Sequence, residues 1–148
     1  MAEVTMQSNC KSEDETIGNI KWFPINKGGE YRKWYGNNEY VVNFQNKGKE
    51  LCDYIDRTSK VNHTGRVINR HRYFKENGTW SAITSGSLSV RYSPEGYIIS
   101  NAGMAIYSDD ILLYVIALLN SKITTAKLIK MVNESINFNA GDIVSIPT

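Results

Sequence analysis

Ser108-Asp109-Asp110-Ile111-Leu112-Leu113-Tyr114-Val115-Ile116-Ala117-Leu118-Leu119 is the stretch on which the fold class turns, because apolar spacing changes there from a strand period to a helix period. Ser108 is suited to an N-cap, and Asp109 and Asp110 sit where the helix dipole favours anions. Ile111, Val115 and Leu118 with Leu112, Ile116 and Leu119 make one wide apolar face, which predicts a buried helix ending at Asn120-Ser121. Ala126 to Asn133 reads as a second helix with Leu128, Met131 and Val132 inward, and Ile136 to Ile146 as a final strand or extended segment.

Upstream of Ser108 the chain is β-rich, with Tyr, Val, Ile and Trp in short runs punctuated by Gly and Asn. Ile20 to Ile25 contains Pro24 and is therefore expected to be an edge strand or to end there. Glu30 to Tyr35 and Tyr40 to Phe44 follow after turns, predicting a three-stranded meander over residues 22–44. In the middle strand Tyr31, Lys33 and Tyr35 share one face, with Arg32 and Trp34 on the other. Glu50 to Arg57 is open between helix and loop, and residues 58–79 read as an exposed polar loop with one strand near Arg66 to Ile68. Trp80 to Ile83, Leu88 to Tyr92 and Tyr97 to Ile99 are further strands. The fold class is therefore α+β: a twisted, mostly antiparallel sheet with a C-terminal helical hairpin packed on it.

The whole chain has 148 residues, 41% hydrophobic and 22% charged, which suits one globular domain and excludes disordered, collagen-like and disulfide-scaffold classes. Ile111 to Leu119, the longest strongly apolar stretch, is about half the length that spans a bilayer. Residues 1–20 hold one Lys, four acids and no apolar run, unlike a signal peptide. A cytoplasmic protein without membrane contact is expected. Residues 1–19 read as a flexible acidic leader or linker, and 20–148 as the folded domain. Cys10 and Cys52 lack a CxxC spacing and are expected as reduced thiols.

Charge is unevenly spread. Residues 21–91 carry thirteen Lys or Arg against six acids, whereas acids outnumber bases on either side. Clustered bases attract polyanions, although a solvated basic face gives the same count. His63 and His71 form no HExxH pair, no GxSxG elbow or Walker loop occurs, and no metal site is expected. Lys27-Gly28-Gly29 reads as a hairpin turn.

The positive signal is bases interleaved with aromatics, in Lys21-Trp22-Phe23, Tyr31-Arg32-Lys33-Trp34-Tyr35 and Arg70-His71-Arg72-Tyr73-Phe74-Lys75. Cations neutralise phosphates, and rings or flat Arg forks stack on bases. Aromatics in strands usually pack, so Trp22, Tyr31, Tyr35 and Phe74 are expected in the core and the charged neighbours carry the functional reading. Phosphate contacts are assigned to Lys27, Lys33, Arg70, Arg72 and Lys75, and base readout to Arg32, Asn37, Thr84, Ser85 and Arg91.

The stretch Trp22-Phe23-Pro24-Ile25-Asn26-Lys27-Gly28-Gly29-Glu30-Tyr31-Arg32-Lys33-Trp34-Tyr35-Gly36-Asn37, with Tyr40-Val41-Val42-Asn43, resembles the target-recognition region of large adenine-specific DNA methyltransferases, especially those of BREX phage-defence systems. Similar in the same order are Thr79 to Gly86 with Arg91, Pro94-Glu95-Gly96-Tyr97-Ile98-Ile99, Leu118-Leu119-Asn120-Ser121-Lys122, and Ile136-Asn137-Phe138 with Gly141-Asp142-Ile143. The resemblance implies a TaqI-like specificity domain that reads double-stranded DNA, while a catalytic domain of the same parent chain binds S-adenosylmethionine and methylates N6 of a flipped adenine. Pro24, Pro94 and Pro147 are the only prolines and none are adjacent, so the family's Asn-Pro-Pro-Tyr motif is absent. The isolated chain is thus expected to bind DNA without a cofactor and without enzyme activity, in a bacterial cytoplasm, alongside other defence-system subunits. Two rival readings are a protein-interaction module docking an acidic partner subunit, and a metal-dependent nuclease using His63, His71 and nearby acids.

Overall fold

A computed structural model describes residues 9–83, 87–101, 103–131, 141 and 143. The chain divides into two compact units, one drawn from Met1–Asn26, Asn38–Glu76 and Pro94–Asn101, the other from Lys27–Asn37, Asn77–Ser93 and Ala102–Thr148. The α+β class holds, but with two small sheets where one was expected.

In the first unit β1 (Trp22–Asn26) pairs antiparallel with β2 (Tyr40–Asn43), Phe23 opposite Val42. On its other side it pairs in parallel with β5 (Ile98–Ile99), Ile25 opposite Ile98. β1 is therefore central, contrary to the edge position that Pro24 suggests. The reason is local: β5 pairs only with Ile25 and Asn26, so at Pro24 no second ladder asks for an amide hydrogen.

Helix α1 (Gln45–Thr58) resolves the open reading of Glu50 to Arg57. It opens with a left-handed turn, φ being 51° at Asn46, 60° at Lys47 and 70° at Gly48. Glycine is required at the last, since a Cβ there would lie 2.6 Å from Phe44 Cε2. The short helix α2 (His63–Arg66) is capped by Asn62, whose side chain accepts from the Gly65 amide. A 3-10 turn over Arg70–Arg72 follows, so the polar stretch is more helical than expected and has no strand near Arg66. Phe23, Phe44, Tyr73 and Phe74 meet edge to face, with ring centroids 5.7–6.4 Å apart, over a core completed by Cys10, Cys52, Val67 and Ile98.

Part of the expected leader is built into this unit. Cys10 and Thr16 are buried, and a 3-10 turn spans Glu13–Thr16. Thr16 Oγ1 accepts from the Lys47 amide at 2.9 Å, so the left-handed turn and the acidic segment hold each other. Both cysteines are free thiols, and burial beside the Glu15 carboxylate pushes the Cys10 thiol up.

In the second unit the sheet order is β4–β3–β6, all antiparallel: β3 (Asn77–Ser81) lies between β4 (Arg91–Ser93) and β6 (Gly103–Ile106). Helices α3 (Leu112–Leu119) and α4 (Lys122–Met131) form the expected C-terminal pair. α3 begins later than predicted; Ser108 Oγ instead accepts from the Ile111 amide at 3.3 Å just ahead of it. Its buried positions are Leu112, Ile116 and Leu119, an i, i+4, i+7 stripe, while Ile111 is exposed. These pack with Trp80, Leu88, Val90, Leu128 and Ile143. Most of the expected tail strand lies outside the described residues; Gly141 and Ile143, which are described, are helical.

Glu30 to Tyr35 is not the middle strand of a meander. Trp34 has a φ of 76°, which a strand cannot accommodate, and its one ladder contact is an isolated bridge to Arg91, while Gly28, Gly29, Gly36 and Asn37 on either side have the positive φ of turns.

Candidate nucleic-acid interface

The segment Lys27–Asn37 crosses the surface of the second unit as a strap. Three hydrogen bonds fix its backbone to neighbouring strands: Ser81 Oγ donates to Gly29 O at 2.7 Å, Trp34 N to Val90 O at 3.4 Å, and Tyr92 N to Trp34 O at 2.8 Å. Lys33 Nζ donates to Asn120 O at 2.9 Å. Asn120 is itself buried and bidentate to the main chain, donating from Nδ2 to Val90 O at 2.8 Å and accepting at Oδ1 from Val90 N at 3.0 Å. Two further braces lie within the strap. Asn37 Nδ2 donates to Glu30 O at 3.0 Å, and the Arg32 side chain lies against Gly36, where a Cβ would fall 2.5 Å from Arg32 Cδ.

On this braced backbone the rings point outward. Tyr31, Trp34 and Tyr35 are 53%, 57% and 56% exposed, so the expectation of packing fails for Tyr31 and Tyr35. With no strand, alternation has no inner face to send them to. The expectation holds for Phe74, which is buried, and in part for Trp22, which is half-buried. Lys27 and Arg32 are exposed on the same strap, and Lys33 Nζ is 6.0 Å from the Tyr31 ring centroid.

The other assigned residues fall into different settings. Arg91 is 1% exposed in β4, with Nη1 3.5 Å from Ser89 O, so its guanidinium is an interior group and not a base reader on the surface. Asn37 is likewise buried, its amide holding the strap together. Arg70, in the first unit, is no open phosphate clamp: Nε donates to Glu13 Oε1 at 2.6 Å, Nη2 to Lys47 O at 2.6 Å, and the guanidinium carbon lies 5.5 Å from the Phe44 ring centroid. Burial presses against its charge, but the hydrogen bond to Glu13 and the charge of that carboxylate raise its pKa nonetheless. Arg72 and Lys75 are exposed in the first unit. Thr84 and Ser85 lie outside the described residues.

Sequence reasoning missed Asn120 and Lys122. With Lys33, Ser87, Thr125 and Ala126 they line an open cleft of about 280 Å³ beside the strap. The Leu-Asn-Ser-Lys pattern at the helix end was the available signal, but nothing local in it tells of the distant Val90.

The basic block also resolves differently in space. The first unit carries ten Lys or Arg against ten Asp or Glu, and the second seven against five. Pairs such as Asp14–Lys47 (2.6 Å), Glu13–Arg70 and Glu50–Lys21 (3.1 Å) balance the first unit internally. Hydrogen bonds from Lys21 and Asn43 hold the Glu50 carboxyl below its ordinary pKa. His63 gives its backbone amide to Asp56 Oδ1 and lies with Nδ1 2.7 Å from Oδ2, which lowers the Asp56 pKa. Among the described residues no three His, Cys, Asp or Glu gather as a metal site, and no helix is long and apolar enough to cross a membrane.

No protein-family model matches the chain. It is 38% identical over 134 residues, 88% of its length, to the adenine-specific methyltransferase BrxX of Escherichia coli O9:H4 (strain HS). The chain is homologous to a segment of adenine-specific methyltransferases. A second relative, the adenine-specific methyltransferase PglX of Lacticaseibacillus casei (strain Zhang), is 39% identical over 133 residues, 85% of the chain. The chain spans about a tenth of the length of these curated relatives, since the matched residues are 10% of each. The resemblance noted from sequence thus has named counterparts among adenine-specific methyltransferases.

Proposed function

We propose that this chain is the DNA target-recognition part of an adenine-specific methyltransferase of a phage-defence system. The observation that carries the reading is the strap at 27–37, which holds Lys27, Arg32 and three exposed rings on a backbone tied to β3 and β4, with the Lys33 side chain tied to the end of α3. Cations on such a strap engage phosphates, and a pre-braced backbone loses little conformational entropy on binding. Methyl transfer, and the S-adenosylmethionine it consumes, belong in this reading to other parts of a parent polypeptide, as the names and lengths of the relatives suggest.

The primary contact set is correspondingly narrower than the sequence alone implied. Lys27 and Arg32 remain first choices, with Lys122 added because it lines the cleft beside Lys33. Arg72 and Lys75 remain exposed candidates of the first unit. The test is fluorescence anisotropy with a labelled duplex at about 50 to 200 mM salt. A log–log salt slope near −4 is expected, and Lys27→Ala with Arg32→Ala should make it shallower by about 1.8, at roughly 0.9 per phosphate lost. Absence of duplex binding at the lowest salt would refute the reading and favour an acidic protein partner.

A further inference from the structure

Trp34 combines two features that do not explain each other. Its φ of 76° is left-handed, a conformation that a bulky side chain adopts only when its surroundings impose it. Here the bonds to Val90 and Tyr92 impose it, yet what they hold in place is an indole standing in water. The backbone strain does not bury the ring, which stays 57% exposed. Such a strained position is a reason to look for function at the ring itself.

Resting on the DNA-binding reading, we propose that Trp34, flanked by Tyr31 and Tyr35, stacks on a nucleobase that has left its pair, so that the strap favours locally opened DNA over a uniformly paired duplex. Ring faces select this ligand. In an intact duplex the bases cover one another and offer only their edges in the grooves, whereas an extruded or unpaired base offers its π-face. Arg32 and Lys33 beside the rings favour a polyanion over an apolar protein surface. The braced backbone means that the rings need no reordering to meet the base.

The test compares the 148-residue chain with Trp34→Gly and Trp34→Phe on two duplexes of equal length, one fully paired and one with a single 2-aminopurine opposite an abasic position. Trp34→Gly is the chosen deletion because glycine accepts the positive φ, so the variant keeps its fold, which its thermal unfolding checks. Stacking by one ring predicts about 5- to 100-fold tighter binding of the opened duplex, with 2-aminopurine fluorescence changing on binding. Trp34→Gly should bring the ratio of the two affinities to about one, whatever its absolute affinity, and Trp34→Phe should retain most of the preference. Equal affinity of the parent chain for both duplexes overturns the stacking proposal and leaves the DNA-binding reading standing, as does a Trp34→Gly variant that keeps the preference. Failure to bind either duplex overturns both.

Discussion

Replacing Asn120 by alanine should both destabilise the second unit and loosen the strap. The amide of Asn120 is the partner of both polar backbone groups of Val90, a fully buried residue, at 3.0 and 2.8 Å. Alanine strands the Val90 N–H completely and leaves its carbonyl only the longer 3.4 Å bond from Trp34. A buried polar group without a partner costs about 1–3 kcal/mol, so losing one fully and one partly amounts to about 3 kcal/mol. With a urea m-value of about 2 kcal/mol per molar, the unfolding midpoint should fall by about 1.5 M. Asn120→Asp sharpens the point. A carboxylate oxygen would then face the Val90 carbonyl, and the repulsion would raise the carboxyl pKa in the folded state. The folded protein would bind the proton more tightly than the unfolded, so stability of this variant should fall as pH rises through the carboxylate range and beyond. Urea titrations monitored by tryptophan fluorescence at several pH values measure both. A midpoint shift under about 0.3 M for Asn120→Ala, or an Asn120→Asp stability independent of pH, would refute the reasoning.

Three further outcomes are expected. Glu13→Ala removes the carboxylate partner of a partly buried guanidinium and should cost about 1–2 kcal/mol in urea unfolding, whereas a flexible leader would show no change. Asp56, whose pKa is lowered chiefly by the His63 amide, contributes stability that is present above the ordinary carboxylate pKa near 4 and lost as pH falls below it; Asp56→Asn should flatten that acid limb of the stability–pH profile. Gly36→Ala forces a Cβ into Arg32 Cδ at a φ of 121°, and should reduce duplex affinity as well as stability, measured side by side by anisotropy and urea unfolding.

What the sequence disclosed depended on how local the cause was. α3 was legible because its buried stripe of Leu112, Ile116 and Leu119 repeats within its own turns. β1 and β2 were legible as strands, since their alternating residues carry the signal themselves, but not as partners, since the expected meander put Glu30 to Tyr35 between them. The strap was misread because Tyr31 to Tyr35 has strand composition, while its conformation is set by positive φ at Trp34 and by partners on Ser81, Val90 and Tyr92. Arg70 and Arg91 looked like ligands for phosphate and base because a guanidinium in sequence carries no sign of burial; Glu13 lies 57 positions from Arg70. Among the candidate contact residues, Lys27, Arg32, Arg72 and Lys75 are exposed whereas Asn37 and Arg91 are buried, a distinction that residue type alone does not carry.

The way the two units are drawn from the chain limits how they can be handed on. The polypeptide passes from one to the other five times, at positions 26/27, 37/38, 76/77, 93/94 and 101/102. No single break in the backbone, whether by a protease or at a recombination junction, separates the two units with each keeping all of its segments. Neither half can be borrowed alone by a relative, and a crossover inside residues 27–101 would divide both. Exchange between genes must carry the whole stretch as one cassette, and variation short of that must arise by point changes on surfaces such as the strap.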